Sequence, residues 1–154
     1  MSLGGWAIGE KLYEWIMHNF PDGIKILELG SGSGSSMLGK THDMHCVEHD
    51  SDWLDKYDSI TYYHAPIVDG WYDEKVLEEV PSDHSLLLID GPPGYIGRSG
   101  VLPHIKKLAE GKIVIVDDTH RKAESDLVED IVASLGRVNT KEIKDGNKSF
   151  VIIY

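Results

Sequence analysis

The chain has 154 residues, 41% of them hydrophobic, which is enough to bury the core of one domain over 1–154. Its formal net charge of -11 argues against nucleic acid or an anionic membrane as the main partner, because both attract lysine and arginine. The single Cys46 excludes an intrachain disulfide, and no window carries the roughly 18 apolar residues of a membrane helix. No secretory leader is visible, so we expect a cytoplasmic protein.

Apolar residues at three- and four-residue spacing predict a helix over 6–19, which Pro21-Asp22-Gly23 ends. The apolar run 24–29 then predicts a buried strand. Further strands are predicted at 44–48, 60–64, 85–90, 112–117, 137–144 and 148–154. Further helices are predicted at 35–40, 52–57, 73–80, 99–110 and 121–135, with loops at 65–72 and 91–94.

The first five strands alternate with helices, a pattern that predicts an α/β fold: a parallel sheet with right-handed crossovers and helices on both faces. Asp145-Gly146-Asn147 is typical of a hairpin turn between the last two strands. The sheet is therefore expected to end in an antiparallel strand.

Glycine stands at every second position of Gly30-Ser31-Gly32-Ser33-Gly34, directly after the first strand. Such a turn brings the backbone close to a ligand, and open α/β sheets bind nucleotides at this place. Glu28, Glu48 and Asp90 stand at the ends of predicted strands, and carboxylates such as Glu28 and Asp90 beside the turn would repel a pyrophosphate. Ser35 stands where the dinucleotide fingerprint has glycine, so a nicotinamide dinucleotide becomes the alternative ligand.

The glycine turn, Glu48 and Asp90 together resemble the signature of class I S-adenosylmethionine-dependent methyltransferases. The resemblance implies a Rossmann-like, doubly wound sheet of seven strands in the order 3-2-1-4-5-7-6, with the last strand antiparallel. It also implies S-adenosylmethionine as cofactor, with Glu48 accepting hydrogen bonds from two ribose hydroxyls. The residues expected to bind this cofactor are Glu28, Gly30, Ser31, Gly32, Gly34, Glu48, His49, His64, Ala65 and Asp90.

Adenine is expected near His64 and Ala65, on the loop after the third strand, where the Ala65 amide is available to bind the ring. His64 replaces the aspartate that is common in the family. His49 has two interpretations, a residue along the adenine face or a solvated loop histidine.

Asp90, Asp117 and Asp118 follow neighbouring strands and resemble the acids of catechol-type, metal-dependent O-methyltransferases. The resemblance implies Mg²⁺ or another divalent cation, which would lower the pKa of an acceptor hydroxyl. The family's asparagine is replaced by Asp118 and its lysine by Pro93, so His120 is the available base. We assign catalytic roles to Asp90, Asp118 and His120. Alternatively, Asp118 caps the helix that begins near residue 121 and His120 is exposed.

The segments 90–98 and 117–122 resemble the methyltransferases that modify the uronic acid of xylan. This resemblance implies that Arg98 and Arg121 clamp a substrate carboxylate. Alternatively, both arginines pair with the chain's own acids. The amino-terminal helix, with Trp6 and Trp15, and the loop 91–100 are expected to cover the acceptor.

The sequence thus predicts a methyltransferase that acts on an oxygen of a small hydroxylated molecule, including sugars and uronic acids. The alternatives are an NAD-dependent oxidoreductase and a cofactor-binding regulator without turnover. A small-molecule substrate is the expected partner, without a membrane or nucleic acid, and a homodimer is left open.

Overall fold

A computed structural model describes residues 8–154 and contains a seven-stranded mixed sheet. Its strands are Lys25–Leu29 (β1), Asp43–Glu48 (β2), Ile60–His64 (β3), Leu86–Ile89 (β6), Ile113–Val116 (β7), Thr140–Asp145 (β8) and Lys148–Ile153 (β9). Two shorter strands, Ile67–Val68 (β4) and Trp71–Tyr72 (β5), form a separate hairpin. The α-helices are Glu10–Asn19 (α1), Ser33–Leu38 (α2), Ile105–Ala109 (α3) and Lys122–Leu135 (α4). The predicted helix start at residue 6, and Trp6 with it, lies outside the described residues.

The strand order in the sheet is β3-β2-β1-β6-β7-β9-β8. All neighbours are parallel except β9, which runs antiparallel to both β7 and β8. This is the predicted order 3-2-1-4-5-7-6 with its antiparallel strand, so the predicted fold is confirmed. After β3 the chain crosses back to β6, on the other side of β1, and this change of direction opens a crevice at the strand ends.

Two hydrophobic layers cover the two faces of the sheet, because alternate residues of a strand point to opposite sides. In β1, Leu27 packs into the layer that α3 and α4 cover, and Ile26 packs into the layer under α1 and α2. The central strand β6 is fully buried, which explains its continuous apolar sequence. The predicted helices on both faces are therefore confirmed. None of the helices in residues 8–154 is both long and apolar enough to span a membrane.

Four predicted segments differ in detail. Residues 65–72 are not a simple loop, because Asp69 and Gly70 adopt left-handed backbone angles (φ of 52° and 84°) and turn β4 into β5. The predicted helix 52–57 is one 3₁₀ turn at Ser51–Trp53, and Asp55 after it is also left-handed. The predicted helix 73–80 is a 3₁₀ helix, and 99–110 begins as 3₁₀ before it becomes α3.

Candidate active site

A cavity of about 800 Å³ opens at the carboxyl ends of the central strands. Gly30 after β1, Glu48 at the end of β2, Asp90 after β6 and Asp117 after β7 all contribute to its wall. This is the place where open α/β sheets bind their ligands. The predicted residues from four separate strands therefore meet around one space.

Glu48 presents an oriented carboxylate to this cavity. Its Oε2 accepts the backbone N–H groups of His49 (2.8 Å) and Asp50 (3.0 Å), and its Oε1 accepts the hydroxyl of Ser31 (2.7 Å). A carboxylate offers roughly four acceptor positions, so Glu48 keeps capacity for a ligand donor beside these three. The structure thus places Gly30, Ser31 and Glu48 together on the cavity wall.

Glu28 lies beneath the glycine turn and supports it. Its Oε1 accepts the hydroxyl of Ser35 (2.5 Å), and Ser35 Oγ in turn accepts the backbone N–H of Gly32 (3.0 Å). Burial raises the pKa of Glu28 to about 8, an effect to which the charges of Asp117 and Glu48 add. Glu28 is only 1% exposed and does not line the cavity, which corrects the expected contact with a cofactor.

The turn passes unusually close to the end of β6. Gly30 has a φ of +101°, and a Cβ there would stand 3.2 Å from the backbone of Asp90 and Gly91. Gly34 lies in α2, where a Cβ would stand 2.6 Å from Ile8, and Gly32 is the residue before α2. Only Gly30 of the three turn glycines therefore borders the cavity, while Gly32 and Gly34 position α2.

The predicted adenine site is only partly assembled. His49 lies on the cavity wall, with its Nδ1 3.0 Å from Glu48 Oε2. His64 is exposed and outside the cavity wall, where its ring contacts the His49 carbonyl (3.3 Å). The backbone N–H of Ala65 already donates to the Glu48 carbonyl (2.9 Å), so the expected donation from this amide to adenine is wrong.

Asp90, Asp117 and Asp118, which we call the rim acids, lie close together, as the strand order predicts. Carboxylate oxygens of Asp90, Asp117 and Asp118 lie within 4.8 Å of one another. Burial raises the pKa of Asp90 well above its usual range, and the charge of Asp117 adds to this effect. Burial, followed by the charge of Asp118, also raises the pKa of Asp117. This pair of buried carboxyls therefore favours holding a proton, because two adjacent negative charges repel each other.

The guanidinium of Arg98 is already occupied by hydrogen bonds to the protein. Its side chain donates to the carbonyls of Pro92 (3.1 Å), Asp117 (3.1 Å) and Asp90 (3.0 Å), and to Asp118 Oδ2 (3.0 Å). A guanidinium has five N–H donors, and these contacts use most of them. The expected clamp of Arg98 on a substrate carboxylate is therefore wrong, and the alternative pairing with the chain's own acids is correct.

Arg121 is the more accessible of the two arginines. Its Nη2 donates to Asp118 Oδ2 (2.9 Å) and lies 3.0 Å from Glu124 Oε1. Its side chain is 39% exposed and lines the cavity, and its Nε has no hydrogen-bond partner within residues 8–154. Asp118 reaches both arginines from a left-handed backbone conformation (φ 59°), which aspartate tolerates better than most residues.

The acid cluster does not fit a divalent cation in this arrangement. Its oxygen donors are of the kind that Mg²⁺ prefers. However, the Nη2 of Arg98 stands 3.0 Å from Asp118 Oδ2 and 3.8 Å from Asp90 Oδ1, so a fixed positive charge already lies among the carboxylates. A metal ion bound to the same oxygens would have to displace or repel this guanidinium.

The remaining predictions concern the cavity mouth. His120 is exposed and lies on the cavity wall, as a base for an acceptor would require. Tyr95, in the loop after β6, is 84% exposed at the same mouth. Trp15 packs instead against the hydrophobic layer under α1 and α2, next to Phe20. Within residues 8–154, α1 contributes nothing to the cavity wall, so Trp15 does not cover the acceptor side, whereas Trp6 lies outside the described residues.

Several residues of the wall were missed from the sequence. Among them are Trp53, Tyr72 and Lys148, which belong to the 3₁₀ turn after β2, to β5 and to the start of β9. The signal for Tyr72 was present, because Asp69-Gly70 is a typical two-residue hairpin turn. No comparable local signal exists for Lys148, which depends on the position of the last hairpin.

The strand order, the antiparallel β9 and a ligand cavity at the switch point define the class I methyltransferase fold. Its solved relatives include the precorrin 8W decarboxylase from Methanobacterium thermoautotrophicum, with a TM-score of 0.66, 15% identity and coverage of 94% of this chain and 89% of that one. Fibrillarin from Aeropyrum pernix, with natively bound S-adenosyl-L-methionine, gives a TM-score of 0.65 at 14% identity, over 94% of this chain and 74% of its own.

A ribosomal protein L11 methylase from Lactobacillus delbrueckii subsp. bulgaricus is similar at a TM-score of 0.63 and 14% identity, over 94% and 76% of the two chains. At these identities the likeness establishes the fold. No protein-family model matches the sequence, and a comparison with curated proteins finds no match.

Proposed function

We propose that this protein is an S-adenosylmethionine-dependent methyltransferase. The observation that carries the proposal is the Glu48 carboxylate, held by two backbone N–H groups on the wall of a cavity that Gly30 also borders. A carboxylate in this position, with one acceptor site left, suits a hydroxyl of a ribose. Fibrillarin, which has the same fold, holds S-adenosyl-L-methionine, and this supports the choice of nucleoside ligand.

The charges around the cavity favour a cationic ligand over a dinucleotide. Glu48 lies on its wall with no arginine or lysine paired to it within residues 8–154, and a pyrophosphate at this end of the cavity would meet the repulsion of its carboxylate. The hydroxyl of Ser35 fills the position at which the dinucleotide fingerprint has glycine, and it bonds the turn to Glu28. These contacts speak against the NAD-dependent alternative.

For the acceptor, we propose the oxygen of a small hydroxylated molecule that enters at the mouth formed by Tyr95, His120 and Arg121. S-adenosylmethionine, when bound, would supply its sulfonium methyl group to the acceptor oxygen and leave as S-adenosylhomocysteine, while the hydroxyl proton would pass to a base of this chain. His120, exposed on the cavity wall at the mouth, is the available base, and Asp90 contributes by accepting a hydrogen bond or sharing its proton with Asp117. Positioning the oxygen in line with the methyl supplies much of the rate enhancement.

Arg121 is the remaining arginine for an acidic acceptor such as a uronic acid, because its side chain is partly exposed and lines the cavity. Asp118 acts by positioning, since it orients both Arg98 and Arg121. We propose that the reaction needs no divalent cation, because Arg98 supplies the positive charge among the rim acids.

The test is ligand binding followed by turnover. We expect S-adenosylhomocysteine to raise the melting temperature and to bind in calorimetry, whereas NAD does neither, since only a bound ligand stabilises the folded state. Stabilisation by NAD alone would contradict the proposal. Mass spectrometry of sugars and uronic acids incubated with S-adenosylmethionine then measures a gain of one methyl group. Binding without transfer to any acceptor would favour the regulator.

A further inference from the structure

Tyr72 carries a buried hydroxyl that nothing in residues 8–154 satisfies. Its side chain is 2% exposed, yet it forms part of the cavity wall. The hydroxyl oxygen has no hydrogen-bond partner within the described residues. A buried hydroxyl without a partner is costly, so its persistence at a ligand cavity indicates a partner that arrives with the ligand.

The fold makes room for this hydroxyl. A Cβ on Gly91 would collide with the Tyr72 hydroxyl, and a Cβ on Gly100 would collide with the side chain of Trp71. Trp71 also stacks on His104, with ring centroids 5.4 Å apart and an interplanar angle of 16°. The β4–β5 hairpin is therefore fixed by two glycines and one ring contact, which leaves the Tyr72 hydroxyl in a defined place.

The surroundings make Tyr72 a donor. Burial raises the pKa of its hydroxyl well above the usual range, and the charges of Glu48 and Asp90 raise it further. The hydroxyl therefore keeps its proton at neutral pH. Glu48 lies at the expected ribose end of the cavity and Asp90 at the expected methyl-transfer end, so Tyr72 stands within the influence of both.

We propose that the Tyr72 hydroxyl donates a hydrogen bond to an oxygen of the bound adenosyl ligand and is a binding residue of the cofactor site. This inference rests on the proposed function. The ligand offers two kinds of acceptor oxygen, those of the ribose and those of the amino-acid carboxylate. Both kinds of oxygen can accept the hydrogen bond that the Tyr72 hydroxyl donates.

The test compares Tyr72→Phe with Tyr62→Phe. Each variant removes one hydroxyl and keeps the ring, so the fold is expected to survive. Tyr62 is the matched control, because its hydroxyl oxygen is also buried but it packs in the layer under α1 and α2, away from the cavity. We expect the dissociation constant of S-adenosylhomocysteine, measured by calorimetry, to rise about 5- to 20-fold for Tyr72→Phe and to stay unchanged for Tyr62→Phe.

A second measurement separates binding from a structural role. Without ligand, Tyr72→Phe should melt at the wild-type temperature or higher, because the variant removes an unsatisfied polar group. Repeating the titration with methylthioadenosine, which lacks the amino acid, assigns the contact. A loss of affinity that persists places the bond on the ribose, and one that disappears places it on the carboxylate.

Equal affinity of wild type and Tyr72→Phe for S-adenosylhomocysteine would overturn the role of Tyr72 alone. Failure of the wild-type protein to bind S-adenosylhomocysteine would overturn the proposed function, and this inference with it. An equal loss of affinity in Tyr62→Phe would also overturn the inference, since the effect would then not come from the cavity.

Discussion

At the β2 end of the cavity, the Glu48 carboxylate accepts two backbone N–H groups, whereas at the β6–β7 end the Asp118 carboxylate accepts two arginine side chains. Backbone donors are local and neutral, so they orient Glu48 and leave its charge available to a ligand. Arginines neutralise Asp118 and tie it to distant segments. Carboxylates at equivalent strand ends thus differ in their surroundings: Glu48 keeps an available charge at the cavity, whereas Asp118 joins two arginines.

The largest expected effect is on stability and comes from a substitution at the β6–β7 end of the cavity. Arg98→Met removes one of the two arginine donors of Asp118 and the side-chain donor of three buried carbonyls, so we expect a loss of about 3–5 kcal/mol in the free energy of unfolding. Urea denaturation followed by circular dichroism measures it. The control is Arg137→Met, because Arg137 also donates to two backbone carbonyls but is not paired with an acid within residues 8–154. Equal losses in both variants would contradict the special role of the rim acids.

The next largest effect is on ligand affinity and comes from a substitution at the β2 end of the cavity. Glu48→Ala removes the acceptor for the ribose hydroxyls, so we expect S-adenosylhomocysteine to bind about 100-fold more weakly, since a hydrogen bond to a charged group contributes roughly 1.5–3 kcal/mol. Calorimetry gives the affinity, and circular dichroism shows whether the fold is intact. Glu110→Ala serves as a control, because Glu110 is exposed and outside the cavity wall. Wild-type affinity in Glu48→Ala would remove Glu48 from the site.

The carboxyl group of Glu28, beneath the glycine turn, makes the stability of the fold depend on pH. Burial raises the pKa of Glu28 from 4.5 to about 8, so between these values the folded protein holds a proton that the unfolded chain has released. Stability therefore falls as the pH rises through this window, by at most about 1.4 kcal/mol per pH unit.

Glu28→Gln cannot ionise, so it should lose less stability than the wild type between pH 6 and pH 8, with a difference of about 2 kcal/mol. Urea titrations at pH 6, 7 and 8 measure this difference. Parallel curves for the two proteins would show that Glu28 does not change its ionisation in that range.

The smallest expected effect is that of metal on the wild-type protein. Because Arg98 already stands among the rim acids, we expect Mn²⁺ titration followed by electron paramagnetic resonance to detect no specific site, and a chelator to leave methyl transfer unchanged. In Arg98→Met the freed carboxylates should begin to bind Mn²⁺. Tight binding by the wild type that is lost in Asp118→Asn would instead support a metal-dependent reaction.

The sheet and the strand-end acids could be predicted because their signals are local. The apolar runs predicted the strands, the resemblance to the methyltransferase family implied their order, and this order brings Asp90 and Asp117 together. The partners of these acids could not be predicted in the same way. Arg98 meets Asp118 across 20 residues of sequence, and its direction depends on the path of the loop after β6. The sequence predicts that the backbone N–H of Ala65 binds adenine. In the fold this N–H donates instead to the carbonyl of Glu48, which continues the parallel pairing of β2 and β3.

The close approach of Gly30 to Asp90 and Gly91 also limits how such a protein can diversify. No side chain separates the glycine turn after β1 from the start of the loop after β6. A bulkier residue at Gly30 or Gly91 would therefore disturb both segments at once. We expect new acceptor specificities to arise by changes beyond Pro93, with the two glycines inherited as a pair. An engineered loop exchange should therefore keep Gly30 and Gly91 and replace only the residues that follow.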